Sequence, residues 1–421
     1  MRTASLTAAV AVAAALGGAA GACGEDSPGP AAAGPTPSEH DASAEEGGVD
    51  AEPPPDAGAE PDGGFVWELP AWFPRPVVPA DNPMSAVKVE LGRHLFYDTR
   101  LSLNRSQSCA SCHEQKRAFT DGRAQSLGST GEEHPRNAMA LANVGYVSTL
   151  TWANPLLLTL EQQTVVPIFG DEPVELGMRN REGELLARLS AEARYQVLFP
   201  RAFPGDPAPV SVGNVVKAIS AFERTLVSGN SPFDRFSHGG EADAISASAK
   251  RGHALFNSER LECFHCHNGF NLMDSTNYEG KSAPEVRFHN TGLYNVGGTG
   301  AYPAPNRGVM EITANGDDMG RFRAQSLRNV AVTAPYMHDG SVATLDEALD
   351  HYAAAGRTIA AGPNAGVGSQ NPYKSSLVIG FELTPGERAD VLAFLHALTD
   401  DEFLTAPRFA SPWGQPCPLC E

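Results

Sequence analysis

The chain has 421 residues, 50 acidic and 31 basic, and a formal net charge of −19. That balance argues against nucleic acid as a partner, because phosphate backbones are gripped by basic patches. The chain is long enough for two domains with sizeable cores, and it carries only seven cysteines.

Residues 1–23 read as an export signal. Arg2 supplies the charged end, Leu6 to Leu16 is a short apolar run, and Ala20-Gly21-Ala22 leads to Cys23. The run is too short for a membrane span and has the flanks of a secretory signal. A cysteine after small residues resembles a bacterial lipobox, which would make Cys23 a lipid anchor. Ordinary cleavage after Ala22 is the alternative. Residues 24–64 hold 11 acidic side chains among Pro, Gly and Ala, with no Lys or Arg. More than half of the net charge therefore sits in a segment too poor in apolar surface to offset its ordering entropy, an extended tether.

The folded part starts near Phe65. Asn82-Pro83 predicts a helix start, with Asn as cap and Pro in the first turn. Val87, Leu91 and Leu95 then recur on one helical face. Next comes Cys109-Ala110-Ser111-Cys112-His113, and the pattern returns as Cys263-Phe264-His265-Cys266-His267. Two cysteines three apart with a histidine directly after the second read as a site of covalent haem c attachment. Each thiol adds to one vinyl group of the same porphyrin, and the histidine becomes the proximal iron ligand. The competing reading is one zinc site drawing on both Cys pairs, but the pairs lie about 150 residues apart and a histidine follows each in register. Covalent haem is attached outside the bacterial cytoplasm, so a periplasmic or cell-envelope location is expected.

A short echo supports an internal repeat. Gly252-His253-Ala254-Leu255-Phe256 precedes the second motif much as Leu95-Phe96 precedes the first. The first unit would close with a helix over 215–228. The second would close with the capping box Thr384-Pro385-Gly386-Glu387, followed by Val391, Leu395 and Leu398 on one face. Strand-like alternation is scarce. The expectation is an all-α fold of two cytochrome c-like haem domains in tandem, residues 65–235 and 236–410, with a tail at 411–421. Cys417 and Cys420 in the tail lack the histidine, and a local disulfide or free thiols are expected there.

Further stretches carry a family resemblance: Arg136-Asn137, Trp152, Gln163, Pro167, Pro173-Val174-Glu175, Ser231-Pro232-Phe233-Asp234-Arg235, Leu327-Arg328-Asn329-Val330 and Thr333-Ala334-Pro335-Tyr336-Met337-His338-Asp339-Gly340. In this order, around the two haem motifs, they resemble the bacterial di-haem cytochrome c peroxidases, and within them the MauG-like branch. The resemblance implies a peroxide-reducing first haem on His113 and an electron-handling second haem on His267. Glu175 would be the proton shuttle over the peroxide, Gln163 would hold the oxygen atoms and Pro167 would shape the wall. Two residues appear inserted between Pro167 and Glu175, so Glu172 competes for the role. Trp152 matches an inter-haem relay. Asn137, with the carbonyls of Thr333 and Pro335, matches a calcium site.

Two departures bear on mechanism. Members with a blocking histidine carry it eight residues before Asn137, where this chain has Ser129; His134 is the nearest histidine. Fourteen residues after His338, where many members have methionine, stands Tyr352, as in MauG-like proteins; Met337 is the rival ligand. A phenolate favours ferric iron, a thioether ferrous iron. The reading is an enzyme that reduces hydrogen peroxide with electrons from a small cytochrome or other redox protein. The rivals are MauG-like oxidation of a protein substrate through a high-valent di-haem state, and a plain electron carrier.

Overall fold

The computed structural model describes residues 65–420, so the export signal, Cys23 and the acidic tether expected from the sequence lie outside the described residues. The fold is mostly helical. Its helices are α1 (Ala86–Phe96), α2 (Leu160–Phe169), α3 (Glu182–Ser190), α4 (Ala193–Ala202), α5 (Val212–Arg224), α6 (Pro232–Ser237), α7 (Ala247–Phe256), α8 (Met310–Thr313), α9 (Leu345–Ala353), α10 (Pro385–His396) and α11 (Asp401–Thr405). Among the described residues the one sheet is a ribbon in which β1 (Thr358–Ile359) runs antiparallel to β2 (Gly366–Val367). No described helix is long and apolar enough to cross a membrane.

Two helix pairs organise the chain, α1 on α5 and α7 on α10. Each crosses at a glycine. A Cβ on Gly92 would lie 1.9 Å from the Ala218 carbonyl oxygen of α5, and one on Gly252 would lie 1.9 Å from the Asp390 carbonyl oxygen of α10. Only glycine permits so close a backbone approach. The phenylalanine four residues on then packs across each pair. Phe96 lies 5.3 Å from Phe222, and Phe256 lies 5.2 Å from Phe394, between ring centroids. The sequence echo is thus a repeated packing solution, Gly-x-x-Leu-Phe. Leu91, Leu95, Phe96 and Phe222 belong to one core and Phe256, Val391, Phe394, Leu395 and Leu398 to another.

The α1 boundary differs from expectation. Ser85 is the cap, accepting the Lys88 N–H at 3.2 Å. Asn82 is instead fully buried, where its amide donates to Glu161 Oε1 (2.7 Å) and the Lys217 carbonyl (3.0 Å). A polar side chain with tertiary partners is worth more there than at a cap three residues early. The α5 helix is capped by Ser211 and ends at Arg224, sooner than the expected 228. Ser228 is instead a node of buried polar contacts, with its N–H on Asn143 Oδ1 (2.7 Å) and its hydroxyl on Asp400 Oδ2 (3.1 Å). The capping box at Thr384 forms as expected.

Two motifs singled out in the sequence meet in space. Asp234, in α6, and Arg328 form a buried ion pair at 2.9 Å, both side chains 3% exposed. Arg328 also donates to the Phe270 carbonyl at 2.9 Å. After α10 the chain returns to the first core, where Phe403 packs 5.7 Å from Phe119. The tail cysteines are joined as a Cys417–Cys420 disulfide.

Candidate active site

The first Cys pair sits on a 3-10 turn, Cys109–Ser111, closed by Ser108 N–H on Ser111 Oγ (3.0 Å). His113 follows, its Nδ1 2.7 Å from the Phe119 carbonyl oxygen. A carbonyl partner fixes Nδ1 as the protonated nitrogen and leaves Nε2 with its lone pair, the arrangement of a metal-ligating histidine. The second turn, Cys263–His265, repeats this more loosely, with His267 Nδ1 3.3 Å from the Leu272 carbonyl oxygen. All four cysteines are free.

Each turn borders its own cavity. Cys109, Cys112 and His113 line a space of about 540 Å³, and Cys263, Cys266 and His267 line one of about 250 Å³. The Cys pairs therefore face different spaces, and among the described residues no potential metal cluster combines them. That disposes of a shared zinc site. Trp152, Asn137, Arg323 and Gln325 line both cavities and form the wall between them. Trp152 is held there by its Nε1–H on the Asn137 carbonyl (2.8 Å) and by its own carbonyl, which accepts the Arg323 N–H (2.9 Å).

The wall has unmet polar demand. Arg323 is 5% exposed and makes no ion pair among those of the described residues; its Nε donates to the Thr151 carbonyl at 3.1 Å. Burial pulls its pKa down to about 10. The buried Gln325 Nε2 has no partner. Nearby His289 is paired to Asp274 at 2.6 Å, and it lines the second cavity with Arg323. Buried cations want anions, and the carboxylates of a haem would meet that demand. Free thiols, tethered histidines, two cavities and an unpaired buried guanidinium fit a haem in each.

The first cavity holds the residues expected over a peroxide. Thr159 caps α2 through a capping box, which sets Gln163 and Pro167 on the wall. The loop after α2 then folds back along it. Leu176 N–H donates to the Pro167 carbonyl and Met178 N–H to the Ile168 carbonyl, both at 2.9 Å. This lays Glu175 along the cavity. Gly128 is pressed on the same loop, since a Cβ there would sit 1.8 Å from the Val174 carbonyl oxygen. Burial pushes the Glu175 carboxyl up to about 7. Glu172 also lines the cavity but is exposed.

Ser129 and His134 are both accounted for. Ser129 is buried, donating its N–H to the Glu175 carbonyl (2.7 Å) and its hydroxyl to the Leu176 carbonyl (3.1 Å). His134 lines the cavity, and its Nδ1 lies 3.1 Å from both the backbone nitrogen and the carbonyl oxygen of Arg136. Its Nε2 lies 3.7 Å from Glu175 Oε1. Burial holds His134 below its ordinary pKa. Both ring nitrogens thus have protein neighbours, and His134 is a companion to Glu175.

The sequence reading missed Glu223. It lies in α5, 6% exposed, and lines the first cavity with Oε2 unpartnered. Burial pushes it up to about 8. The signal was present: Val215, Ile219 and Glu223 recur every fourth residue, so a carboxylate stands on the apolar face of its helix.

In the second cavity the two rival ligands both line the space that His267 lines. Tyr352 comes from α9, and burial raises its hydroxyl pKa. Met337 comes from a turn in the left-handed region, φ 69°. His338 is 4% exposed, stacked on Phe322 at 3.7 Å, and burial lowers it to about 4. Thr333 and Pro335 line this cavity too, alongside Asn137. The Asn137 amide nitrogen donates to the Arg123 carbonyl at 2.7 Å, so its oxygen is the atom left for an ion.

Two haem-fitted cavities sharing a tryptophan wall define a di-haem oxidoreductase. The family model for di-haem cytochrome c peroxidases matches residues 86–242. Methylamine utilization protein MauG of Methylorubrum extorquens is 33% identical over 322 residues, covering 76% of this chain and 80% of that protein. Cytochrome-c peroxidase IdrP1 of Denitromonas iodatirespirans is 36% identical over 352 residues, covering 77% and 85%. A solved MauG-like protein associated with microbial copper homeostasis is 50% identical with a TM-score of 0.81, covering 83% of this chain and 100% of that one. The chain belongs to the di-haem cytochrome c peroxidase family, of which MauG is a member.

Proposed function

We propose that the chain reduces hydrogen peroxide to water in the first cavity, with electrons that enter from a small cytochrome or other redox protein by way of the second. In this reading two cytochrome c-like domains stand in tandem, residues 65–235 and 236–410, and each carries a covalent haem that supplies a redox-active iron. Cys109 and Cys112 hold the first haem and Cys263 and Cys266 the second. His113 and His267 are their proximal ligands. Glu175 takes the proton from one peroxide oxygen and returns it to the leaving oxygen, Gln163 holds the oxygens, Pro167 shapes the wall and Trp152 relays electrons. Asn137, Thr333 and Pro335 hold one calcium ion. Export to the periplasm or envelope, with or without an anchor at Cys23, completes the reading.

The observation that carries it is Glu175 on the lining of the cavity of His113, with His134 Nε2 3.7 Å from its carboxyl, which burial pushes up to about 7. A shuttle works best with a pKa near the working pH. Glu175→Gln keeps the size and removes the proton acceptor. Peroxide turnover should fall by about 10²–10⁴-fold with both haem spectra intact. Unchanged turnover moves the role to Glu172 or elsewhere.

A second reading, oxidation of a residue in a protein partner, is favoured by Tyr352 in the cavity of His267 and by the serine, not histidine, at position 129. The 50% identity to a MauG-like protein associated with copper homeostasis supports the same direction. Electron paramagnetic resonance of the ferric protein separates a high-spin, open first haem from a capped one.

A further inference from the structure

The C-terminal tail lies apart from both cavities, and the proposed function leaves its two cysteines without a role. They are not isolated. His94 Nε2 or Nδ1 and the sulfurs of Cys417 and Cys420 supply three ligand atoms that all lie within 4.8 Å of one another. None of the three residues lines either cavity. We propose that His94, Cys417 and Cys420 form a binding site for Cu(I) that opens when the Cys417–Cys420 disulfide is reduced.

The histidine is prepared for a metal. It is fully buried in the last turn of α1, with Nδ1 3.0 Å from the Glu90 carbonyl oxygen. That bond puts the proton on Nδ1 and leaves the lone pair on Nε2. Nε2 now faces Arg194 Nη1 at 3.2 Å, a donor that confirms the lone pair on this nitrogen. The tail is anchored over it. Trp413 Nε1–H donates to the His94 carbonyl at 3.1 Å, and Arg194 donates to the carbonyls of Pro412 (3.3 Å) and Gln415 (3.0 Å). Arg201 donates to the Leu419 carbonyl at 2.6 Å, one residue before Cys420. The cysteines therefore stay beside His94 whether or not they are bonded to each other.

Ligand chemistry selects the ion. Two thiolates and one imidazole form a soft donor set, which suits Cu(I). Structural zinc sites are closed by four protein ligands, and this cluster offers three. Bonds of about 2.3 Å to sulfur and about 2.0 Å to nitrogen place three ligand atoms roughly 3.5–4 Å apart around one ion. The freed sulfurs need only separate within their turn. Charge also fits: two thiolates and Cu(I) sum to one negative charge, next to the Arg194 guanidinium.

The steps balance. A phosphine or dithiol reductant gives two electrons, the S–S bond breaks, and two protons complete the two thiols. Those protons leave again when the sulfurs take the ion. Cys417 and Cys420 are both half-buried, so a reductant reaches them.

The test uses the di-haem protein reduced anaerobically with a water-soluble phosphine, then titrated with Cu(I) against a chromogenic Cu(I) chelator. The reduced protein should withhold one more equivalent of Cu(I) than the oxidised protein. The Cys417→Ser/Cys420→Ser protein should withhold none of that increment, which also subtracts any binding by Cys23. His94→Gln should weaken the site at least tenfold while both haem spectra stay unchanged. The proposal fails if the reduced parent withholds no more Cu(I) than the double serine variant. It fails equally if His94→Gln binds as tightly as the parent, because the cysteines would then act without the histidine.

Discussion

Glu223 and Glu175 line one cavity, where partial or full removal from water disfavours the charged form of a carboxyl. Both pKa values stand above the ordinary carboxylate value, at about 8 and about 7. The linkage follows directly. Between the ordinary carboxylate pKa and these raised values, the folded state binds more protons than the unfolded state, so stability falls as pH rises. Most of that loss should come between about pH 5 and pH 8. Glu223→Gln, a neutral isostere, should remove the larger share. The variant and the parent should unfold alike near pH 5, with the variant more stable at pH 8 by a few kcal/mol, on the order of 1.4 kcal/mol per pKa unit before relaxation. Urea denaturation of the holoprotein at the two pH values measures it. A parent as stable as the variant at pH 8 would mean that the Glu223 carboxyl finds a cation or water in the loaded protein. The same residue marks a limit of sequence reading. Glu175 was found through the surrounding Pro-Val-Glu motif, whereas Glu223 has no motif and shows only as one charge on an apolar helical stripe.

At the scale of elements, the two glycine crossings are the fold's repeated joint. Gly252→Ala puts a methyl group 1.9 Å from the Asp390 carbonyl oxygen, so α7 and α10 must move apart. Overpacking of this kind typically costs about 1–3 kcal/mol. The second Cys turn hangs from α7, so the spectrum of its haem should change along with stability. Gly92→Ala should do the same to the first pair. Gly213 provides the control, because a Cβ there meets nothing within 4 Å. Gly213→Ala lies in α5 and should be neutral or stabilising by about 0.5–1 kcal/mol. Thermal unfolding of the three variants, with the haem spectra, checks the set; equal effects at all three positions would refute the crossing argument. Much of this level was legible beforehand. The helical periodicity of Val87, Leu91 and Leu95 and the capping box at Thr384 both rest on local chemistry, and both appear. The Asn82 cap did not, because Asn82 has partners at Glu161 and Lys217 that no local pattern reveals. Likewise the Ser-Pro-Phe-Asp-Arg and Leu-Arg-Asn-Val stretches were recognisable as motifs, but their meaning, one buried Asp234–Arg328 pair, is a long-range contact.

At the scale of the whole molecule, the two cavities are unlike in size and lining. The first is larger and is lined by a carboxylate, an amide and a histidine, Glu175, Gln163 and His134. The second is smaller, and the two side chains that could ligate an iron opposite a histidine, Tyr352 and Met337, line it together with His267. Their supports differ. Tyr352 stands in the last turn of α9, a helix whose N-terminus is fixed by the Thr344–Glu347 capping box. Met337 lies in a turn with φ 69°, where its carbonyl accepts the Gly340 N–H at 3.2 Å. A helix presents a ligand more rigidly than a turn does. Tyr352 is thus the expected axial ligand, and its phenolate would hold the second haem at a lower potential than a thioether would. Tyr352→Met should raise that potential in a spectroelectrochemical titration, and Tyr352→Phe should abolish the axial bond in the ferric spectrum. Met337→Leu should leave both unchanged. The reverse pattern, loss of the bond in Met337→Leu and not in Tyr352→Phe, would assign the ligand to the turn. The enzyme would then match the methionine-ligated members of its family in its electron-handling half, with the Glu175 cavity unaffected.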